Sequence, residues 1–155
     1  MNNRWSVWLE PCKTDMVRYS KLISECCEKF SSPIFDPHIT LFGRVGIEPE
    51  PTFSFFEDLI RNHTTFSSKI LGVNTGEPPW KSLFIQLEAC EALLNMQANI
   101  NDLFKTLRDY IFDPHLSLAY GDLTINQNEM DAIPLPEIIR FSAVALVMTP
   151  DTIEN

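Results

Sequence analysis

Apolar positions along the chain follow two rhythms. Over Trp5-Ser6-Val7-Trp8-Leu9 they alternate and are rich in aromatic rings, which predicts a strand that ends at Pro11. Over residues 14–30 the apolar side chains Met16, Tyr19, Ile23, Cys26 and Phe30 recur every three or four positions and share one helical stripe, with Thr14 as its N-cap. Residues 38–43 read as a strand that starts after Pro37 and stops near Gly43, and a loop rich in Pro and Glu follows. Thr52 caps a short second helix, Phe53–Asn62, with Phe53, Phe56 and Ile60 on its apolar stripe. Residues 66–75 and 81–88 flank the turn-rich Gly76-Glu77-Pro78-Pro79-Trp80 and predict a hairpin with a longer loop. A third helix places Leu93, Met96, Ile100, Leu103, Leu107 and Tyr110 or Ile111 on one face, until Pro114 resets the chain into a strand over 115–120. The last run, 138–148, is apolar on both faces and suits a strand inside a sheet.

No linker and no low-complexity tract interrupts this pattern, so the 155 residues read as one domain spanning 1–155. Within it the chain repeats itself once. Phe35-Asp36-Pro37-His38-Ile39-Thr40-Leu41 returns 77 residues later as Phe112-Asp113-Pro114-His115-Leu116-Ser117-Leu118. Five of the seven positions are identical and the others exchange Ile for Leu and Thr for Ser. A repeat half a chain length apart suggests duplication, and with it a pseudo-twofold pair of lobes.

The repeat carries chemistry. In a strand, residues i and i+2 share a face, so His38 sides with Thr40 and His115 with Ser117, while Ile39, Leu41, Leu116 and Leu118 point the other way and can be buried. If the two lobes face one another, two imidazoles and two hydroxyls converge. A phosphodiester suits that set: its hydrolysis needs a base for attacking water, an acid for the departing oxygen and donors for the non-bridging oxygens. Imidazole serves either proton role near neutral pH, and the hydroxyls of Thr40 and Ser117 donate without ionising. A single H-x-[ST] is more often an accidental strand tripeptide, but a purely structural duplication has no reason to preserve the polar members of the frame. Asp36 and Asp113 read as turn residues ahead of their prolines rather than as partners orienting the imidazoles. His63, outside the frame, reads as a helix-terminal or surface residue.

Metal ligation is the competing use of two histidines. A hydroxyl is a poor zinc ligand, and no carboxylate or cysteine stands at ligand spacing to either histidine, so no metal and no cofactor is expected. The four cysteines, Cys12, Cys26, Cys27 and Cys90, form no C-x-x-C pair and read as buried thiols of a reducing compartment. Twelve basic residues against 21 acidic ones leave a formal charge of -9, which argues against an extended nucleic acid as partner and for a mononucleotide-sized substrate, with only Arg44 and Lys81 near the predicted cleft. The segment beginning Met1-Asn2-Asn3 lacks a signal-peptide pattern, and no apolar run approaches the roughly 18 residues of a membrane span. A cytoplasmic monomer with no membrane contact is the expectation.

The chain resembles the 2H phosphoesterase superfamily, whose hallmark is a pair of H-x-[ST]-x motifs: His38-Ile39-Thr40-Leu41 and His115-Leu116-Ser117-Leu118 both match. Within it the chain is most similar to the cyclic phosphodiesterases of the plant and yeast type, through Ser6-Val7-Trp8-Leu9-Glu10-Pro11, Val73-Asn74-Thr75-Gly76 and the run from Pro114 past Tyr120 to Leu123-Thr124. The resemblance implies a bilobal α+β fold, with two antiparallel sheets lining a central cleft and helices packed outside. It implies metal-independent hydrolysis of ADP-ribose 1'',2''-cyclic phosphate to ADP-ribose 1''-phosphate and of nucleoside 2',3'-cyclic phosphates to 2'-phosphates. By motif, His38 would be the acid and His115 the base, roles that pseudo-symmetry lets exchange, with Thr40 and Ser117 on the phosphate. Trp8, Trp80 and Tyr120 match aromatic positions near the cleft, where rings stack on a base or ribose. Strict alternation turns Tyr120 away from His115 unless the strand ends before it, and Trp8 reads equally well as a buried strand aromatic. Two alternatives stand beside this one: an RNA-end 2',3'-cyclic phosphodiesterase or trimming enzyme of the same superfamily, and a non-catalytic nucleotide-binding module.

Overall fold

The computed structural model describes residues 4–63 and 65–149; the amino-terminal Met1-Asn2-Asn3 lies outside them. In chain order it contains β1 (Trp5–Pro11), α1 (Lys13–Phe30), β2 (Ile39–Val45), a 3-10 turn (Glu50–Thr52), α2 (Phe53–Asn62), β3 (Phe66–Thr75), β4 (Leu83–Leu87), α3 (Glu91–Phe104), β5 (His115–Ala119), α4 (Gln127–Asp131) and β6 (Ile138–Met148). This is the α+β arrangement that the periodicities predict. The two separate sheets are not what forms: all six strands pair antiparallel into one closed barrel in the order β1-β2-β5-β4-β3-β6. Closure runs through the single pair Ile39↔Leu116 between β2 and β5, and through Phe66–Lys69 of β3 against β6. Joining the sheets at both seams removes free edges that two separate sheets would expose.

The sequence repeat reappears as a repeat in pairing. Trp8 faces Thr40 across β1 and β2, and Phe84 faces Ser117 across β4 and β5. In each case the next pair skips one residue, so that Leu41 and Leu118, the last residue of each seven-residue frame, are both bulged. The helices lie against the barrel wall, α1 on β1 and β5 and α3 on β2. Their buried faces are Tyr19, Leu22, Ile23, Cys26 and Cys27 in α1, and Leu93, Met96, Gln97, Ile100 and Phe104 in α3. Beneath them Ile39, Leu41, Leu116 and Leu118 are all 0% exposed.

Several local expectations differ from the structure. Cys12, not Thr14, is the N-cap of α1, and no side chain caps that helix; Asp15 in its first turn instead accepts the Arg140 amide of β6 at 2.8 Å, which pins the helix to the barrel. Thr52 does not cap α2 with its side chain, because its hydroxyl donates to the Pro49 carbonyl at 2.6 Å within the 3-10 turn. The buried stripe of α2 is Phe56 and Leu59, with Phe53 and Ile60 exposed. Gly43 does not end β2, which continues through a second bulge to Val45. Helix α3 stops at Phe104, leaving Leu107 and Ile111 exposed. Tyr110 still buries its ring, but from a loop, against Phe42 at 4.9 Å between centroids, so the apolar period outlasts the helix. β6 has a strand partner on both sides only at Phe141: Ile138, Ile139 and Arg140 pair with β3 alone, and from Ala143 to Met148 the strand pairs with β1 alone. Cys26 and Cys27 are buried, whereas Cys12 and Cys90 are partly exposed at the starts of α1 and α3. The short α4, held by a capping box between Asn126 and Glu129, buries no side chain and so carries no apolar period to predict it. His63 sits at the C-cap of α2, as expected.

Leu116 pairs with both Ile39 and Ile85 and closes the β2–β5 seam, so Leu116→Ala is expected to cost about 2–5 kcal/mol of unfolding free energy. Urea denaturation measures it; a loss below about 1 kcal/mol would contradict the packing of this seam.

Candidate active site

Register and alternation together build the site. Since Ile39 opposes Leu116 in antiparallel strands, the neighbouring positions set His38 across from Ser117 and Thr40 across from His115, all on the face away from the buried aliphatic side chains. A cavity of about 490 Å³ opens on this face, and His38, Thr40, His115, Ser117, Trp8, Trp80 and Tyr120 all line it. The seven candidate residues are thus brought to one place.

Each imidazole is held the same way. His38 Nδ1 lies 2.7 Å from the Asp36 carbonyl oxygen and His115 Nδ1 lies 2.8 Å from that of Asp113. A carbonyl only accepts, so Nδ1 carries the hydrogen in both rings and Nε2 is left with its lone pair. Orientation by the aspartates therefore happens, through their main chain rather than their carboxylates, which corrects the reading of Asp36 and Asp113 as turn residues only. The sequence could not show this, because any residue has a carbonyl.

The surroundings of the two rings differ. The indole of Trp8 stacks on His38 at 3.5 Å between centroids and 6° between planes, and Phe35 meets it edge-on at 6.2 Å. His38 is 6% exposed. That burial pushes its pKa from 6.5 down to about 4; the Asp36 carbonyl works the other way, and the nearby His115 lowers it further. His115 is half-buried and meets Phe84 edge-on at 5.3 Å. Its pKa is also lowered, mainly by burial, with the Asp113 carbonyl opposing, Lys81 adding to the depression and the Asp113 charge opposing it. The Asp113 carboxylate is itself anchored by the Lys81 ammonium and by Gln86 Nε2 at 2.8 Å. Burial would raise the Asp113 pKa, but these two donors outweigh it and hold the carboxyl below its ordinary value.

The aromatic residues form one wall. Tyr120 reaches the cavity because β5 ends at Ala119, which releases it from alternation. Its ring packs on Phe35 at 4.2 Å and on Trp80 at 5.4 Å. Burial raises its hydroxyl to about 12, with a hydrogen bond from Ser117 pulling the other way. Trp80 keeps 39% of its surface exposed. Trp8 is not the buried strand aromatic of the alternative reading: it is only partly buried, lines the cavity and covers a histidine there.

Other lining residues escaped the sequence reading. Ser6 shares the strand face of Trp8 and could have been found by the same alternation. Arg108 and Tyr110 could not, because the apolar period placed them on a helix that has already ended. Arg108 joins Arg44 and Lys81 as a cavity cation. Among the described residues no three His, Cys, Asp or Glu side chains converge as a metal-ligand set, and no helix is long and apolar enough to cross a membrane.

Comparison with known proteins meets this geometry. The family model described as cyclic phosphodiesterase-like protein matches residues 3–137, a span that includes both seven-residue frames. The cyclic phosphodiesterase of Arabidopsis thaliana is 24% identical over 120 residues, covering 77% of this chain and 66% of that protein, which is just under two thirds of its length. In fold, the chain is similar to the crystal structure of TT0787 of Thermus thermophilus, with a TM-score of 0.55 at 19% identity over 93% of this chain and 84% of that one. With its paired histidine frames inside the matched span, the chain belongs to the cyclic phosphodiesterase-like family of the 2H phosphoesterase superfamily.

Proposed function

We propose that this protein is a cyclic phosphodiesterase of the plant and yeast type, a single domain of two related halves that hydrolyses small nucleotide cyclic phosphates without a metal. ADP-ribose 1'',2''-cyclic phosphate and nucleoside 2',3'-cyclic phosphates are its proposed substrates. The observation that carries the reading is the meeting of His38, Thr40, His115 and Ser117 on one cavity, each imidazole with Nδ1 tied to a carbonyl and Nε2 left for proton transfer.

The phosphorus lies between the rings in this mechanism. One Nε2 takes a proton from water as it attacks, the P–O bond to the ribose oxygen breaks on the opposite side, and the other Nε2–H protonates that oxygen. Thr40 and Ser117 donate to the non-bridging oxygens as charge builds on them. Following the motif, His38 is the acid and His115 the base. Burial holds the imidazole of His38 neutral at pH 7, so it takes up a proton from solvent as the anionic substrate binds: an anion beside a desolvated imidazole stabilises its charged form. Trp8 keeps the His38 ring in plane, and Trp80 and Tyr120 supply an apolar wall for a base or ribose.

Hydrolysis of a nucleoside 2',3'-cyclic phosphate tests the proposal. His38→Ala and His115→Ala are each expected to lower kcat by roughly 10²- to 10⁴-fold, and a chelator should leave the wild-type rate intact. Unchanged turnover in both variants would end the assignment. Faster turnover of oligonucleotides with cyclic-phosphate ends than of mononucleotides would favour the RNA-end enzyme instead.

A second prediction concerns pH. His38 has a folded pKa of about 4 against an ordinary 6.5, so between these values the unfolded chain binds more protons. Its neutral form is fully accommodated above pH 6.5, stability is lost as pH falls from 6.5 toward 4, and below 4 this residue adds no further loss. Urea denaturation across that window should show a steeper decline in the wild type than in His38→Asn. Parallel declines would contradict the burial of a neutral ring.

A further inference from the structure

The cavity continues beyond the histidines to an end lined by Ser6, Gly43, Arg44, Arg108, Tyr110 and Thr149. None of these takes part in the hydrolytic step. Gly43 marks where the two ends meet: a Cβ there would stand 3.6 Å from Thr40 Cγ2 and 3.9 Å from both Ser6 Oγ and Tyr110 Cε2. Gly43 thus lies where the side chains of Thr40, Ser6 and Tyr110 adjoin. Beside it the chain sets both Gly43 and Arg44 against Ser6 of β1, whose Oγ accepts the Arg44 amide at 3.1 Å. Arg44 takes up this bulge with a left-handed φ of 61°, which carries it to the cavity wall.

Arg108 faces the same end from the loop after α3. Its Nη1 donates to the Arg44 carbonyl at 2.9 Å, and its guanidinium carbon stands 4.9 Å from the Phe42 ring centroid and 5.9 Å from that of Tyr110. These contacts hold the group by a carbonyl and two ring faces; among the described residues it is paired with no carboxylate. Arg108 is exposed, and the partial desolvation of its guanidinium lowers its pKa, with Tyr110 opposing and Arg4 and Arg44 adding to the effect. Guanidinium groups gathered beside a cavity repel one another, and an anion placed among them relieves that repulsion. In a chain of net charge -9 this end gathers arginine side chains at a place a ligand can reach.

We infer that this end of the cavity is a second anion subsite, which takes a further phosphate of the substrate while the cyclic phosphate lies between His38 and His115. The inference rests on the function proposed above and narrows it to nucleotide cyclic phosphates that carry a second phosphate away from the scissile ring. A planar guanidinium suits that group, since it offers paired N–H donors to two phosphate oxygens. Holding the substrate at both ends fixes the cyclic ester between the acid and the base, and that positioning acts on kcat/KM.

The test compares three substrates: adenosine 2',3'-cyclic phosphate, the same compound with a 5'-phosphate, and a dinucleotide ending in adenosine 2',3'-cyclic phosphate. Wild-type kcat/KM should favour the compound with the 5'-phosphate by on the order of tenfold, Arg108→Gln should bring that ratio near one, and Arg108→Lys should restore part of it. Preference for the 5'-phosphate upholds the subsite; preference for the dinucleotide over both mononucleotides overturns it in favour of the RNA-end enzyme. Hydrolysis without preference, or a preference that survives Arg108→Gln, overturns the subsite while leaving the hydrolase intact. Should no cyclic phosphate be turned over, the functional reading falls and calorimetry decides the subsite: adenosine 5'-phosphate binding more tightly than adenosine in the wild type, but not in Arg108→Gln, upholds it, and equal binding overturns it.

Discussion

The contact between β2 and β5 at Ile39 and Leu116 is the constraint on which the rest depends. Four aliphatic side chains, Ile39, Leu41, Leu116 and Leu118, lose all their exposure on one side of this seam. Each contributes about 1.5–3 kcal/mol relative to an exposed side chain. That sum exceeds the cost of enclosing two imidazoles whose Nδ1 hydrogens are already bonded, since a satisfied polar group avoids most of the desolvation penalty. Because side chains alternate, the same burial that closes the barrel turns His38, Thr40, His115 and Ser117 to the opposite face together. Packing and presentation of the site are one event.

Two copies of one sequence frame then receive different surroundings. Trp8 lies flat on His38, whereas Phe84, its counterpart in the pairing, meets His115 edge-on. Asp113 is clamped by Lys81 and Gln86 and steadies the carbonyl that holds His115. An acid and a base at one pH must differ in proton affinity, and unequal burial together with a neighbouring ammonium is a physical means of making like residues differ. The proposed chemistry draws on that inequality as much as on the symmetry of the motif.

Net charge proves a poor guide to the cavity. The chain is acidic, yet Arg44, Lys81 and Arg108 line this one space. Charges farther off are screened over roughly 10 Å at moderate ionic strength, so the side chains that line the cavity weigh most in what a ligand meets there. An acidic chain and a cavity lined by cationic side chains are compatible for that reason.

What the sequence determined by itself is whatever depends on neighbours along the chain. The two periods place all six strands and three of the four helices, because amphipathic alternation reports which face will be buried whatever buries it. The repeated frame reveals its histidines and hydroxyls because alternation also dictates a shared face. Helix ends and caps were less legible: Tyr110 keeps an apolar rhythm from a loop, and Asp15 anchors α1 through the distant amide of Arg140. Only the tertiary structure decided that the sheet closes into one barrel, that main-chain carbonyls orient the imidazoles, that Trp8 covers His38, and that Arg108 arrives beside Arg44. Each of these joins residues far apart in sequence, or uses a backbone group common to all residues. Pairing of that kind follows from the energy of the whole packed chain and leaves no mark on any local pattern.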